Sequence, residues 1–511
     1  MGYTMFAAID IGSSELSMKI YEISTKKGIV SLDSVIKPYA LGIETYKNNR
    51  ISHTSIENIC DILNDFKRVM KEYNVKEYSV CAASAIREAD NGILVLDRIK
   101  LATGLNVKIL SNSEKRYLYY KSLVADGNCF KKLVNKQATV VDVGAGSIQI
   151  SMYENNCVRS TQNIRLGFLR LKEAIADFSK NPQKYYKVIA DYINNDIEAY
   201  SDFYMENTSL EDIIAVGDNV HELAKVSVGD SKEYITKSEY EKFYKELLYY
   251  TSEKLVMKYG ITKEKASLLL PTAMIYKKIL EITNAKRIWL PKVRLNDGMA
   301  VKFAELREDI KLPHDFEQDI VVAARHMANR YKSNKEHTES VENLTLKIFD
   351  ETRALHGLGK RQRIWVRIAA ILHCCGSYIS INNAHINSYN IIMATEIIGL
   401  SHKEREIIAN VVKYTYDDLP RFSDMPNHIE LNDYLDIAKL SAILRLADIL
   451  DKSHKYKFKN IEIQLKNSVL LIITDTLEDI TLEKSLLNKK SDFFIEVYGV
   501  KPKLKRKKTN K

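Results

Sequence analysis

The pattern of apolar and polar positions changes character partway along the chain. In the first 300 or so residues, short apolar runs such as residues 78–83 alternate with longer stretches such as residues 56–73, where apolar side chains recur every three or four positions. The short apolar runs predict buried strands. The recurrence every three or four positions predicts helices with one buried face. From about Glu317 the pattern is helical. The chain is therefore predicted to be α/β first and all-α afterwards.

One pattern occurs twice in the α/β part. Residues 9–22 (IDIGSSELSMKIYE) return as residues 141–154 (VDVGAGSIQISMYE), with Asp10 and Asp142 at matching positions. Each copy consists of an apolar strand, a tight Gly/Ser turn and a second alternating strand, which is the pattern of a β-hairpin. A copy at the start of each half predicts a two-lobed module. Two ordinary hairpins with coincidentally similar turns are the alternative.

The two turns contain residues suited to binding phosphate. Glycine and serine let backbone N–H groups approach an anion, and a carboxylate beside them can hold a hard divalent cation. Asp10 and Asp142 are the predicted metal ligands, with a turn cap as the alternative for either one. The predicted phosphate-binding residues of the turns are Gly12, Ser13, Ser14, Gly144, Ala145, Gly146 and Ser147.

Chain length and the distribution of charge indicate how many domains the protein has and which partners it is expected to bind. A chain of 511 residues exceeds the roughly 250–300 residues of a single core. The net charge is +10, but the last eleven residues alone contain seven Lys or Arg and no acid. This basic tail, residues 501–511, is predicted to be a disordered solubilising end, or else an arm that binds a polyanion. Nucleic acid is not the expected partner.

The cysteine pattern and the N-terminus indicate a cytoplasmic protein. The six cysteines form no CxxC pair and no zinc-like spacing, and residues 1–10 (MGYTMFAAID) lack the basic and apolar regions of a secretory signal. The sequence contains no run of about 18 apolar residues, so no membrane span is expected. We expect a cytosolic location with reduced thiols.

Several motifs resemble the Ppx/GppA phosphatase family (exopolyphosphatase and guanosine pentaphosphate phosphohydrolase). Residues 10–14 (DIGSS) resemble its first phosphate loop, and residues 142–147 (DVGAGS) resemble its second, usually DIGGGS. Residues 82–89 (AASAIREA) are very like its ATSAxRxA stretch. Residues 163–167 (NIRLG) match the strand after the second loop, and residues 296–299 (NDGM) resemble the close of the lobe. The resemblance implies an actin-like (ASKHA, ribonuclease H-like) α/β fold.

The resemblance also implies hydrolysis of a terminal phosphoanhydride, with Mg²⁺ and a water activated by a carboxylate. Such phosphoryl transfer depends on positioning and charge neutralisation. Arg87 is expected to fork onto a phosphate oxygen, with a surface ion pair as the alternative. Gly217, which ends a predicted strand, is expected to bind phosphate as well.

The catalytic glutamate of the family lies in a GxEEAR stretch before the second loop, where this chain has LSNSEKRY at residues 110–117. Alignment on Arg116 puts Glu114 at the catalytic position, at the cost of a one-residue gap. Without the gap Lys115 falls there, and a lysine cannot act as the base. We predict Glu114 as a catalytic residue; a solvated glutamate at a helix start is the alternative.

Other residues depart from the family pattern. Gln149 stands where the family has a glutamate, seven residues after Asp142, and an amide can orient water but cannot take its proton. With Glu114 and Asp142, it completes the predicted catalytic set. Asp218 replaces the second glycine of a Gly-Gly pair, and Ala145 replaces a glycine. Activity is therefore expected to be weak or changed in substrate.

The second half resembles the HD-like domain of longer family members, through His337, His373-Cys374, His385 and Asp448. A metal-binding HD site needs a His-Asp pair, and here the pair is His373-Cys374. A two-metal centre is therefore not expected. We predict that Cys374 and Cys375 are buried and inert, rather than that a thiolate binds a softer metal. This half is interpreted as a degenerate HD-like scaffold that holds the polyanion or a dimer interface.

These patterns predict five segments. They are lobe I at 1–125, lobe II at 126–305, an HD-like helical domain at 315–456, a small strand-rich cap at 457–500, and the basic tail at 501–511.

Three classes of function are compatible with the motifs. The leading hypothesis is an exopolyphosphatase acting on inorganic polyphosphate as a homodimer, with guanosine pentaphosphate as the rival substrate. A non-catalytic sensor of polyphosphate or guanosine tetraphosphate is the second class, because Gln149, Asp218 and Cys374 depart from the pattern. An ATP-dependent phosphotransferase is the third, and it is disfavoured because Asp218 disrupts the glycine pair expected under an adenosine.

Overall fold

The computed structural model describes residues 2–127, 130–134, 137–155, 157–174, 182–205, 210–217, 219–229, 232–425, 429–466 and 468–507. The chain divides into two compact units, Met1–Asp315 and Phe316–Lys511. We call them the first and second units. Within the described residues, no helix is both long enough and apolar enough to cross a membrane.

The first lobe of the first unit is a five-stranded sheet in the order β3-β2-β1-β4-β5. Its strands are β1 (Thr4–Ile11), β2 (Glu15–Ser24), β3 (Gly28–Pro38), β4 (Glu77–Ala82) and β5 (Val107–Ile109). Its helices are α1 (Gly42–Asn48), α2 (His53–Glu72), α3 (Ser84–Arg87), α4 (Gly92–Thr103) and α5 (Asn112–Asp126). Strand β1 is antiparallel to β2 and parallel to β4.

The second lobe is a six-stranded sheet in the order β10-β11-β9-β6-β7-β8. Its strands are β6 (Gln137–Val143), β7 (Ile148–Glu154), β8 (Cys157–Ile164), β9 (Asp212–Val216), β10 (Tyr234–Thr236) and β11 (Arg287–Trp289). The helices after α5 in this unit are α6 (Phe130–Val134), α7 (Phe168–Ala174), α8 (Pro182–Tyr204), α9 (Val220–Ser227), α10 (Lys237–Leu247), α11 (Ser252–Tyr259), α12 (Lys263–Thr283) and α13 (Leu295–Leu306).

The two sheets repeat one topology. The order β8-β7-β6-β9-β11 corresponds to β3-β2-β1-β4-β5, and each neighbouring pair has the same relative direction in both lobes. Strand β10 adds an antiparallel edge to the second sheet. The structure thus confirms the two hairpins predicted from the repeated pattern. Each lobe has its own buried core beneath its sheet.

Helix α13 differs from the prediction, because it covers the first sheet although we assigned residues 126–305 to lobe II. Phe303 stacks on Phe6 with ring centroids 4.2 Å apart, and the Asn296 amide donates to the Ala8 carbonyl at 2.9 Å. The chain therefore returns to the first lobe after completing the second. The order of elements along the chain does not state which sheet a helix will cover.

The second unit begins with seven helices. They are α14 (Phe316–Arg330), α15 (Lys335–Glu351), α16 (Arg353–His356), α17 (Lys360–Leu372), α18 (Ala384–Ala394), α19 (His402–Tyr414) and α20 (Leu431–Leu450). Short 3₁₀ segments lie at Cys375–Tyr378 and Phe422–Asp424. A three-stranded sheet, in the order β12-β13-β14, shares their hydrophobic core. The strands of this sheet are β12 (Ile461–Lys466), β13 (Val469–Thr474) and β14 (Lys501–Arg506). Two helices, α21 (Thr481–Lys490) and α22 (Asp492–Tyr498), lie between β13 and β14 in the chain.

Strand β14 corrects the prediction of a basic tail at 501–511. Lys501–Arg506 pairs in parallel with β13, with Pro502 and Leu504 buried and the intervening lysines exposed. Lysine alternates with an apolar residue in this segment, which is the pattern of a half-buried strand. The prediction of a tail was based on the many positive charges and did not use this alternation. Residues 508–511 lie outside the described residues.

Candidate functional site

The turns of the two repeated hairpins line one cavity between the lobes, which we call the interlobe cleft. Its lining residues are Asp10, Gly12, Ser13, Ala83, Ser84, Asn112, Lys115, Asp142, Gly144, Ala145, Gly146, Ser147 and Gln149. The cavity volume is about 10 Å³, which is room for about one water molecule. The cleft is therefore narrow in this structure.

Asp10 and Asp142 occupy equivalent positions in their sheets. Asp10 lies near the end of β1 opposite Ser17 of β2, and Asp142 lies near the end of β6 opposite Gln149 of β7. Both aspartates are buried, with 9% and 2% of their surface exposed. The duplicated register therefore brings one carboxylate from each lobe to the same cleft.

The turns that follow the aspartates close in the same way. The Gly12 N–H donates to the Glu15 carbonyl at 3.0 Å, and the Gly144 N–H donates to the Ser147 carbonyl at 3.0 Å. A Cβ on Gly12 would lie 2.7 Å from that Glu15 oxygen, so this position needs glycine because of space. The sequence prediction of tight Gly/Ser turns is confirmed.

The second turn directs successive amide groups toward the cleft. The carbonyl of Gly144 accepts from Phe168 N, and the carbonyl of Ala145 accepts from Leu169 N and Arg170 N, all at the start of α7. In a trans peptide the C=O and the following N–H point in opposite directions. The N–H groups of Ala145 and Gly146 therefore point away from α7, toward the side that lines the cleft. Such a run of amides forms an anion-binding nest.

Three hydroxyl groups, from Ser13, Tyr46 and Ser84, form a cluster beside the first turn. Tyr46 of α1 lies with its Oη 3.1 Å from Ser13 Oγ and 2.9 Å from Ser84 Oγ. Burial raises the pKa of Tyr46, so its hydroxyl stays protonated. Arg170 stacks on the Tyr46 ring at 4.5 Å and donates to the Gly146 carbonyl at 3.0 Å. Sequence reasoning missed Tyr46 and Ser84, although Ser84 lies inside one of the quoted motifs.

Glu114 is not among the residues that line the cleft, and its assignment as the catalytic base stays a prediction. Ser111 caps α5, and Glu114 completes a capping box: Glu114 N–H donates to Ser111 Oγ at 3.2 Å, and Ser111 N–H donates to Glu114 Oε2 at 3.0 Å. The other carboxylate oxygen accepts from Lys108 at 2.6 Å. Burial by itself raises the pKa of Glu114, but the bonds from Lys108 and Ser111 outweigh it and lower that pKa.

Lys115 lines the cleft instead of Glu114. Its Nζ lies 3.6 Å from Asp142 Oδ2, and its side chain is 12% exposed. The ammonium group of this lysine therefore lies in the cleft, at the position that the alignment without a gap compares with the glutamate of the family. The start of α5 explains why Lys115 and not Glu114 lines the cleft. The Glu114 side chain bonds back to Ser111 in the capping box, so it points to the helix start.

Gln149 lines the cleft. Arg116, which is buried, donates from Nε to Gln149 Oε1 at 3.0 Å. With its oxygen held in this way, the amide NH₂ of Gln149 is the end that remains to face the cleft. Gln149 thus offers hydrogen-bond donors there rather than a carboxylate.

Three other predicted residues, Arg87, Ser14 and Gly217, are not among the residues that line the cleft. Arg87 donates to the Leu110 carbonyl at 2.6 Å and to Asn112 Oδ1 at 2.7 Å, so it positions a cleft residue rather than lining the cleft itself. The Ser14 carbonyl accepts from Tyr39 N at 3.2 Å. Gly217 has a φ of 114°, and a Cβ there would crowd Asp142. Asp218 lies outside the described residues.

The cleft fits a hard divalent cation by the chemistry of its donors. Asp10 and Asp142 contribute carboxylate oxygens from opposite sheets, and Ser13 and Ser84 contribute hydroxyls. Oxygen ligands of this kind suit Mg²⁺.

A duplicated pair of α/β sheets brings two carboxylates and a nest of amides to one cleft, and it defines a two-lobed module whose cleft is chemically suited to phosphate. The Ppx/GppA phosphatase family model matches residues 20–306, and the model for Ppx/GppA phosphatase domain III matches residues 322–491. The chain therefore belongs to the Ppx/GppA phosphatase family, which is a family of phosphoanhydride hydrolases.

Relatives match most of the chain. The guanosine-5'-triphosphate,3'-diphosphate pyrophosphatase of Photobacterium profundum is 20% identical over 450 residues, which cover 87% of this chain and 86% of that protein. The enzyme of the same name from Aeromonas hydrophila is 19% identical over 408 residues, covering 79% of each chain. An exopolyphosphatase crystal structure from Cytophaga hutchinsonii, at 15% identity, covers 60% of this chain and 98% of its own, with a TM-score of 0.52. This likeness shows a shared fold.

Proposed function

We propose that the interlobe cleft hydrolyses the terminal phosphoanhydride of inorganic polyphosphate and releases orthophosphate. The observation that carries the proposal is the convergence of Asp10, Asp142 and the amide nest on one cleft. The exposed lysines of β14 add positive charge that suits a long polyanion.

The residues of the cleft divide into phosphate binders and carboxylates. The oxygens of the terminal phosphate accept hydrogen bonds from three groups: the amides of the second turn, Lys115 Nζ and the Gln149 NH₂. Asp10 and Asp142 would hold Mg²⁺, which supplies neutralisation of the phosphate charge when bound. Asp142 takes the proton of the attacking water. The new P–O bond forms as the bridging P–O bond breaks, leaving a chain one phosphate shorter.

The fold and the setting of this activity are part of the same proposal. We propose an actin-like fold for the two lobes, an HD-like scaffold for the helical part of the second unit, and a homodimer in the cytoplasm. Light scattering of the purified chain tests the oligomeric state, and a monomer at micromolar concentration would exclude the dimer.

The test is phosphate release from long-chain polyphosphate, with Mg²⁺ and with EDTA, by wild-type protein and two matched variants. Asp142→Asn keeps the shape of the side chain but removes its basicity, so we expect release to fall by at least ~10²-fold. Glu114→Gln changes a carboxylate outside the cleft, and we expect release within about threefold of wild type. Loss of activity in Glu114→Gln with activity retained in Asp142→Asn would reverse these assignments.

Guanosine pentaphosphate is the second candidate substrate, because the relative that covers 87% of this chain is named for that class of nucleotide. The same assay with this nucleotide distinguishes the two. A kcat/KM for guanosine pentaphosphate that exceeds the value per polyphosphate end would favour the nucleotide.

A polyphosphate sensor is the third candidate, because Lys115 and Gln149 supply donors where the resemblance implied carboxylates. Tight binding of polyphosphate without metal-dependent phosphate release would favour the sensor over the hydrolase.

A further inference from the structure

Two buried imidazole rings face each other in the second unit. His337 of α15 and His373, directly after α17, are each 1% exposed. Their Nε2 atoms lie 3.2 Å apart. On the far side of each ring, His337 Nδ1 is 2.8 Å from Asp451 Oδ2, and His373 Nδ1 is 2.7 Å from the Ala370 carbonyl.

These partners determine the tautomers. A carboxylate and a backbone carbonyl only accept hydrogen bonds, so each Nδ1 carries a proton and donates it. In a neutral ring the Nε2 then presents a lone pair. Two lone pairs directed at each other across 3.2 Å require a cation or a proton between them.

Two further ligand atoms approach the same point. The ligand atoms of His337, His373 and Cys374 all lie within 4.8 Å of one another. Asp448 Oδ1 of α20 lies 3.8 Å from each Nε2, and it also accepts from Tyr416 Oη at 3.1 Å. Ligands at 2.0–2.3 Å from a tetrahedral ion are about 3.3–3.8 Å apart, close to the distances between the rings and the carboxylate.

We propose that His337 Nε2, His373 Nε2, Cys374 Sγ and Asp448 Oδ1 form a mononuclear site for a divalent transition metal of the zinc class. Two imidazoles and a thiolate favour Zn²⁺ or Co²⁺ over Mg²⁺. The thiolate and the carboxylate neutralise the two positive charges of the ion, and the thiol proton passes to solvent on binding. This site lies outside the proposed catalytic cleft.

The surroundings suit a metal site. Asp451 and the Ala370 carbonyl orient the two rings, as outer partners of metal-binding histidines do. The ion would join α15, the end of α17 and α20. Cys374 thereby acquires a role, in contrast to the inert pair expected from the sequence. Its neighbour Cys375 is fully buried and is not part of the group of ligand atoms.

Cobalt substitution of the full chain tests the site. Protein stripped with a chelator is titrated with Co²⁺ alone, and the near-ultraviolet thiolate-to-cobalt charge-transfer band and the visible bands of tetrahedral cobalt are recorded. We expect saturation at one equivalent and displacement by Zn²⁺. Cys374→Ser loses the charge-transfer band, and the matched control Cys375→Ser keeps it. Circular dichroism verifies that both variants fold.

A second variant keeps the test decisive if Cys374→Ser does not fold. Asp451→Asn leaves all four ligands in place but weakens the partner of His337, so Co²⁺ affinity falls by about 10- to 100-fold while the charge-transfer band remains. Absence of the band in wild-type protein, or its persistence in Cys374→Ser, would overturn the proposal. A proton then bridges the two rings.

Discussion

Lys115 extends from α5 into the interlobe cleft, beside Asp142, whereas its neighbour Glu114 closes the helix cap. An ammonium group is a compact point charge that binds phosphate oxygens, and it carries no basic lone pair while protonated. At this position the side chain favours binding of a polyanion over removal of a proton from water. In the proposed hydrolysis, the base is therefore a carboxylate of the cleft.

We expect Lys115→Gln to raise the KM for polyphosphate by about 10- to 100-fold, because one charge-assisted hydrogen bond to phosphate is lost. Lys108→Gln is the matched control, since Lys108 pairs with Glu114 rather than lining the cleft. Steady-state kinetics give KM and kcat separately. An unchanged KM in Lys115→Gln would show that this lysine does not contact the substrate.

Helix α13 crosses α5 at very short range. A Cβ on Gly298 would overlap the Leu118 carbonyl, so the crossing depends on the missing side chain. Asp297, one residue earlier, accepts from Lys19 and Tyr21 of β2 at 2.8 Å each. The NDGM motif that resembled the close of a lobe thus fastens α13 to the first lobe.

We expect Gly298→Ala to destabilise the first unit by about 1–3 kcal/mol, because two backbones must separate to admit one methyl group. Leu306→Ala, at a side chain that is 77% exposed, is the control and should change stability by less than about 0.5 kcal/mol. The chain has two tryptophans, Trp289 and Trp365. Urea unfolding followed by Trp289 fluorescence, in a Trp365→Phe background, reports the first unit alone. Equal midpoints for Gly298→Ala and its parent would contradict the steric argument.

At the scale of the whole molecule, each unit has its own hydrophobic core and its own tryptophan, Trp289 in the first and Trp365 in the second. A ligand stabilises the part of a protein that binds it in the native state. The two tryptophans can therefore assign a ligand to its unit without any mutation in the cleft.

We expect tripolyphosphate with Mg²⁺ to raise the urea midpoint reported by Trp289, with a gain of about 2.7 kcal/mol at one hundred times the dissociation constant. The midpoint reported by Trp365, in a Trp289→Phe background, should stay the same. A shift of equal size at both tryptophans would mean that the two units unfold together.

The sequence by itself determined the repeated hairpins, the two aspartates and the tight Gly/Ser turns. These features depend on spacing along a few consecutive residues, and the strand period and the turn residues carry that information locally. The register opposite Asp10 and Asp142 follows from the same spacing. The family resemblance added the reaction class, since its motifs lie in these local segments.

Only the tertiary structure decided which side chain of α5 faces the cleft and which sheet α13 covers. It also decided that residues 501–506 pair with β13 as a strand. Neighbouring residues on a helix point about 100° apart, so a one-residue alignment error exchanges Glu114 for Lys115. The approach of His337 to His373 is likewise invisible in the sequence. Such contacts join residues that are distant along the chain, and packing of whole elements brings them together.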